Sequence, residues 1–179
     1  LLRPARPPSG VPSRAADHLY WLGRYTERLD QTVRLLRVSL RRISGERSDT
    51  QSREASSCLT LLSAINLIPA TAASLQDHLP NLMRDASLPG SLPDLLSRIK
   101  FNASSARDRL SDDTWRLLHR MERDARMPAG AFITTTAQAT LDTLVLDLAA
   151  FGGMHLENVT RGHGWRFLEL GRRIERASH

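Results

Sequence analysis

Apolar residues at Leu19, Leu22, Leu29, Val33, Leu36, Leu40 and Ile43 recur at helical spacing, with Thr26 holding the turn between Leu22 and Leu29. Steps of three and four, or their sum, keep these side chains on one face of an α-helix of roughly eight turns. A strand would need apolar residues at every second position. No such alternation occurs anywhere in the sequence, and aromatic residues make up only 5% of it. The pattern therefore specifies an all-α fold, an antiparallel helical bundle of about six to seven helices joined by short loops.

Punctuation along the chain places the other helices. Residues 1–12 carry Pro4, Pro7, Pro8 and Pro12 and no apolar period, which reads as a linker or arm. With Leu1 rather than Met at the start, this suggests that something precedes the helical domain at 13–179. Ser13 suits an N-cap, and Gly45 suits the stop of the first helix. A second helix is expected from about Ser52 to Leu67, with Ala55, Leu59, Leu62 and Ile65 inward and Pro69 beyond its end. A third, interrupted by Pro80, is expected over Thr71 to Asp85. Ser91 caps a fourth that reaches Leu110, with Pro93 and Asp94 in its first turn. Ser111 caps a fifth, carrying Asp112 and Asp113 at its positive end and broken at Met127-Pro128-Ala129-Gly130. A sixth runs from Thr134 to Phe151 and stops at Gly152-Gly153; a last one starts near Thr160 or Arg161.

Composition narrows the function classes. At 179 residues and 41% hydrophobic, the chain is long enough for one globular domain. No apolar run reaches the roughly 18 residues of a membrane span, since Asp142 and Asp147 break the longest candidate. One cysteine, Cys58, excludes an internal disulfide and is expected to be inert core. A reducing, cytoplasmic setting fits. The formal net charge is +6, and only Lys100 among the 25 basic residues is a lysine. The densest basic groups are Arg34, Arg37, Arg41 and Arg42, then Arg172, Arg173 and Arg176. They are interspersed with acids, which favours solvated helix faces over phosphate binding, so nucleic acid is not the expected partner.

One motif occurs twice. Leu22-Gly23-Arg24-Tyr25-Thr26-Glu27-Arg28 recurs as Leu170-Gly171-Arg172-Arg173-Ile174-Glu175-Arg176, with five of seven residues identical. Both copies lie within expected helices and follow large apolar residues. On a helical wheel Gly23 and Glu27 fall opposite the leucine stripe. In the second copy Phe167, Leu170 and Ile174 mark the apolar side, away from Gly171 and Glu175. A glycine inside a helix costs about 1 kcal/mol relative to alanine, which close approach of another helix or a ligand would explain. A buried glutamate would then need arginine partners, whose planar forks bind carboxylates bidentately. Two equivalent helices crossing at their glycines, with reciprocated Glu–Arg pairs, satisfy both needs. The candidate site residues are Gly23, Arg24, Glu27, Arg28, Gly171, Arg172, Glu175 and Arg176. Pairs that set helix register are favoured over a pocket for a small polar ligand or carboxylate.

The stretch from Ser13 to Arg28, with its His18-Leu19-Tyr20-Trp21-Leu22-Gly23-Arg24 core, resembles the opening of the Alpha-E domain, a bacterial all-helical family named for its Glu-Arg motif. Asn102 to Arg107, Arg109, Ser111 and Trp115 are similar to its middle segment. Thr160-Arg161, Gly164 to Leu168 and the second Leu-Gly-Arg-x-x-Glu-Arg are similar to its second half. The resemblance implies a longer domain, of which this chain would lack a C-terminal part. An apolar face left by that part would favour self-association. It also implies an accessory role beside a circularly permuted ATP-grasp protein, in a peptide-ligating or peptide-modifying system. No catalytic residues come with it.

Other chemistry finds little support in the sequence. No His-x-x-x-His or Glu-x-x-His pair occurs, and His155, Glu157 and His163 lie in an expected loop, a weak set for a metal. No glycine-rich phosphate loop with a following lysine is present. Neither metal nor cofactor is expected. The reading is a non-catalytic helical binding or scaffold module for an ATP-grasp-type ligase. The alternatives are an enzyme using both Glu–Arg clusters as one polar pocket, and a basic nucleic-acid-binding domain.

Overall fold

The computed structural model describes residues 12–44, 49–158 and 163–178, apart from the side chains at 44–52 and 155–163. Its elements are α1 (Ser13–Ser44), α2 (Asp49–Ala64), α3 (Leu79–Arg84), α4 (Leu92–Ser105), α5 (Asp112–Asp124), α6 (Thr134–Asn158) and α7 (His163–Ser178). No strand occurs among the described residues. The Pro-rich residues 1–11, and Gly45 as a helix stop, lie outside them.

The leucine stripe makes α1 the axis of the bundle. Leu22, Leu29, Val33 and Leu36 are fully buried, each contributing roughly 2 kcal/mol of transfer free energy. Helices α2, α4, α6 and α7 all pack on α1. Successive partners run in alternate directions. His18 and Tyr25 of α1 meet Asn102 and Arg98 of α4, so that pair is antiparallel. Arg120 and Met127 meet Asp147 and Thr140, so α5 and α6 are antiparallel as well. Leu168 of α7 meets Gly23 of α1 and Arg176 meets Glu27, so α7 runs parallel to α1, and that contact is the most extensive between helices among the described residues.

The helix caps follow ordinary backbone chemistry. Ser91 and Ser111 accept from the backbone N–H of Asp94 and Thr114, at 3.2 Å each. Each thereby satisfies one of the donors a helix start leaves open. Helix α2 closes through Asn66, whose φ of 58° is left-handed, with Leu67 N–H returning to the Leu62 carbonyl at 2.9 Å.

Several expected boundaries move. Helix α2 starts at Asp49 and ends at Ala64, because the Asn66 cap acts before Pro69. Residues 71–78 form no helix; Pro80 sits in the first turn of a short α3 instead of interrupting a longer one. Helix α4 ends at Ser105, and Arg107–Arg109 is a separate 3-10 turn. Helix α5 ends at Asp124 and α7 starts at His163. Helix α6 continues through Gly152-Gly153 to Asn158, since a glycine pair weakens a helix without removing its hydrogen bonds. The expected loop carrying His155 and Glu157 is therefore helical, with side chains outside the described set. Cys58 is buried, as expected.

Candidate functional site

The two motif copies meet along the α1–α7 contact. A methyl group added to Gly23 would stand 2.0 Å from the Leu168 carbonyl oxygen. One added to Gly171 would stand 2.1 Å from the Tyr20 carbonyl oxygen. Each glycine thus receives the backbone of the other helix, at a separation that any side chain would prevent.

That close approach sets the reach of the charged groups one turn further on. Glu175 is fully buried and accepts from Arg24 Nε and Arg28 Nε, both at 2.5 Å. Glu27, 3% exposed, accepts from Arg176 Nε at 2.7 Å and Nη2 at 3.0 Å, and from Arg172 Nε at 3.3 Å. Each acid lies four residues beyond its glycine, and each helix grips the other's acid with the arginines at one and five residues beyond. The pairing is reciprocal, so the eight singled-out residues form one unit.

A carboxylate taken from water loses its hydration, and two or three charge-assisted hydrogen bonds replace it here. Burial pushes the Glu175 carboxyl up, but the hydrogen bonds and charges of Arg28 and Arg24 outweigh it and hold the group below its ordinary 4.5. Hydrogen bonding to Glu27 and its charge likewise raise the Arg176 guanidinium. A carboxyl depressed in the fold but ordinary in the unfolded chain stabilises at neutral pH. That contribution is lost as pH falls from the unfolded value through the native one. Stability is therefore expected to start falling once pH drops below about 4.5. Denaturant titrations at stepped pH check this, and the acid dependence should be shallower in Glu175→Gln than in the parent chain.

The second helix docks by an unexpected face. Leu170 is 48% exposed and Ile174 36%, while Leu168, Gly171 and Glu175 face α1. Of the apolar side assigned to α7 from the wheel, Leu170 and Ile174 thus point outward, while Phe167 is partly buried against the core. The ion-paired face is buried instead, because only the glycine brings the two backbones close. On the outer flank of the clasp, Trp21 stacks on Tyr25 with ring centroids 5.6 Å apart, and Arg24 and Arg28 lie over those rings at 5.6 and 6.0 Å.

Other motif residues also find partners. His18 Nδ1 lies 3.0 Å from Asn102 Oδ1, while Asn102 Nδ2 donates to the Arg98 carbonyl, so the middle segment is tied to the first helix. Arg107 covers the Trp115 ring at 5.1 Å. The basic run on α1 is occupied by acids: Arg34 by Asp30, Arg37 and Arg41 by Asp142, and Arg42 by Glu54. This pairing leaves little of that face for phosphates. No group of three or more His, Cys, Asp or Glu suited to a metal occurs among the described residues, and none of their helices is long and apolar enough to cross a membrane.

Sequence reasoning missed two cavities. One of about 590 Å³ lies among α3, α4 and the end of α5, walled by Met83, Leu96, Ala125 and Met127 with Lys100 and Glu122 on its rim. Another of about 240 Å³ abuts the clasp between α1, α6 and α7. Both are assembled from segments distant in sequence.

A helical bundle whose defining feature is a pair of exchanged Glu-Arg dipeptides is what the fold and site describe. The chain belongs to the Alpha-E family, a predicted alpha-helical domain with a conserved ER motif, whose model matches residues 11–179. It is 30% identical over 184 residues to the uncharacterized protein Rv2567 of Mycobacterium tuberculosis, covering 91% of this chain and 21% of that one. The same figures hold for the uncharacterized protein Mb2597 of Mycobacterium bovis. The chain thus spans about a fifth of the length of these relatives. No solved structure matches it.

Proposed function

We propose that this domain is a non-catalytic binding and scaffold module working beside an ATP-grasp-type peptide ligase or peptide-modifying enzyme, in the cytoplasm. The observation that carries the non-catalytic part is the reciprocity of the clasp. Both motif glutamates are spent as ion-pair acceptors, and the Glu175 carboxyl is held below the ordinary range. A general acid or base near neutral pH needs a carboxyl pushed upward instead. The motif thus reads as a lock that fixes how α1 meets α7. The partner rests on the family resemblance alone. Its test is affinity capture from the cell that makes the protein, with ATP-grasp proteins scored by mass spectrometry. Enrichment of such a protein over an unrelated helical bait is the expected result. Its absence, with the bait folded by circular dichroism, overturns the assignment.

A further inference from the structure

The two halves of the clasp are equivalent in sequence offset but not in surroundings. Arg24 and Arg172 occupy matching positions, one residue past their glycines. Arg24 is completed within the protein: Nε goes to Glu175, Nη1 donates to the Tyr20 hydroxyl at 3.3 Å, and the Trp21 ring lies under the guanidinium. In α7 the positions matching Tyr20 and Trp21 are Leu168 and Glu169. Leu168 offers no acceptor, and Glu169 is paired with Arg173 at 2.9 Å. Arg172 therefore spends Nε on Glu27, and its two terminal nitrogens have no acceptor among the described residues.

Those nitrogens face a cavity. They stand 3.9 Å from where a side chain on Gly152 would begin, and Gly152, Arg172, Arg176, Arg34, Asp30 and Leu148 line the 240 Å³ space. Gly152 lies within α6, where glycine costs about 1 kcal/mol and no clash demands it, since a methyl group there would meet only ordinary contacts. Its absent side chain keeps the space open in front of the fork. The charges around the cavity do not cancel. Arg34 is matched by Asp30, and Arg176 takes both oxygens of Glu27, so the Arg172 charge remains over. The Arg172 side chain is 24% exposed and presents this charge to the cavity.

We propose that the cavity between α1, α6 and α7 is a carboxylate-binding site, with the terminal nitrogens of Arg172 as its bidentate donor. A single negative charge neutralises the surplus, and a planar carboxylate matches a planar fork. Asp30 on the rim disfavours a dianion. The volume admits a group the size of an amino acid, either free or as the end of a peptide; both present the same carboxylate. The site goes beyond the scaffold reading and stands whether or not a ligase is the partner.

The test is titration of the whole chain, followed by nuclear magnetic resonance or calorimetry, with N-acetyl-alanine, its neutral amide, free alanine and inorganic phosphate. Saturable binding of a carboxylate probe at up to about 10 mM, with none of the amide, is expected. A preference for N-acetyl-alanine over alanine assigns the peptide end, and the reverse assigns the free amino acid. Gly152→Leu fills the cavity in front of Arg172 and leaves every residue of the Glu-Arg clasp in place, and Arg172→Lys keeps the charge but removes the fork. Each should weaken binding at least tenfold, with cooperative unfolding retained. If Gly152→Leu fails to fold, Gly152→Ala serves, with a smaller loss in the same direction. Equal binding of acid and amide, tighter binding of phosphate, no carboxylate binding at that concentration, or unchanged binding in folded variants overturns the proposal.

Discussion

Gly23→Ala is expected to destabilise the protein by about 3 kcal/mol, although alanine is the better helix former. The added methyl would lie 2.0 Å from the Leu168 carbonyl oxygen. A carbon and a carbonyl oxygen rest at about 3.3 Å or more, so the helices must part by roughly an ångström. Neither backbone can move aside alone. Gly171→Ala should cost a similar amount, because the mirrored contact is 2.1 Å. Gly153 supplies the control. A side chain there would meet nothing within 4 Å, so Gly153→Ala should stabilise α6 by up to about 1 kcal/mol. Denaturant unfolding of the three variants reads the signs directly. Three stabilised proteins would show that α1 and α7 do not touch at these positions.

Glu175→Gln is the second large effect, a loss of about 3 kcal/mol. The amide keeps the shape but leaves two guanidiniums facing a group that cannot take their charge. The cost sits at the low end for a broken buried pair, because Arg24 and Arg28 keep 20% and 38% of their side chains in water and can rehydrate. Glu27→Gln should cost less, since Arg176 is already 64% exposed. An unfolding series should rank Glu175→Gln above Glu27→Gln, and the opposite order would contradict the burial argument. The glycine and acid effects should not add. Separation of the helices by Gly23→Ala stretches the same hydrogen bonds that Glu175→Gln weakens, so the double variant should lose less than the two losses combined.

The register of the clasp was open to inspection in the amino-acid order. The offsets of glycine, arginine and glutamate are the same in both copies, and helical geometry puts them on one face. The leucine stripe of α1 was equally plain, because a buried helix writes its contacts into a spacing of three and four. The outward face of α7 was not. Phe167, Leu170 and Ile174 look like a core face by hydropathy, yet only Phe167 packs on the core, and nothing local says that the glycine-lined side docks first. The extent of α6 escaped for a related reason, since a glycine pair reads as a stop unless its neighbours are known.

Local chemistry therefore decided which segments are helical, where serine caps begin them, and which charges are available to pair. Those properties depend on residues within a turn or two of one another. Which arginine is completed, and which faces an open space, depended on what packs beside it. Arg24 and Arg172 share a motif, yet Tyr20 and Trp21 enclose one and the α6 surface at Gly152 leaves room before the other. The enclosing rings are chain neighbours of Arg24, but the space before Arg172 is set by α6, and the acid that each arginine grips lies more than a hundred residues away, as Arg24 and Glu175 show. Only folding brings such groups within hydrogen-bonding distance.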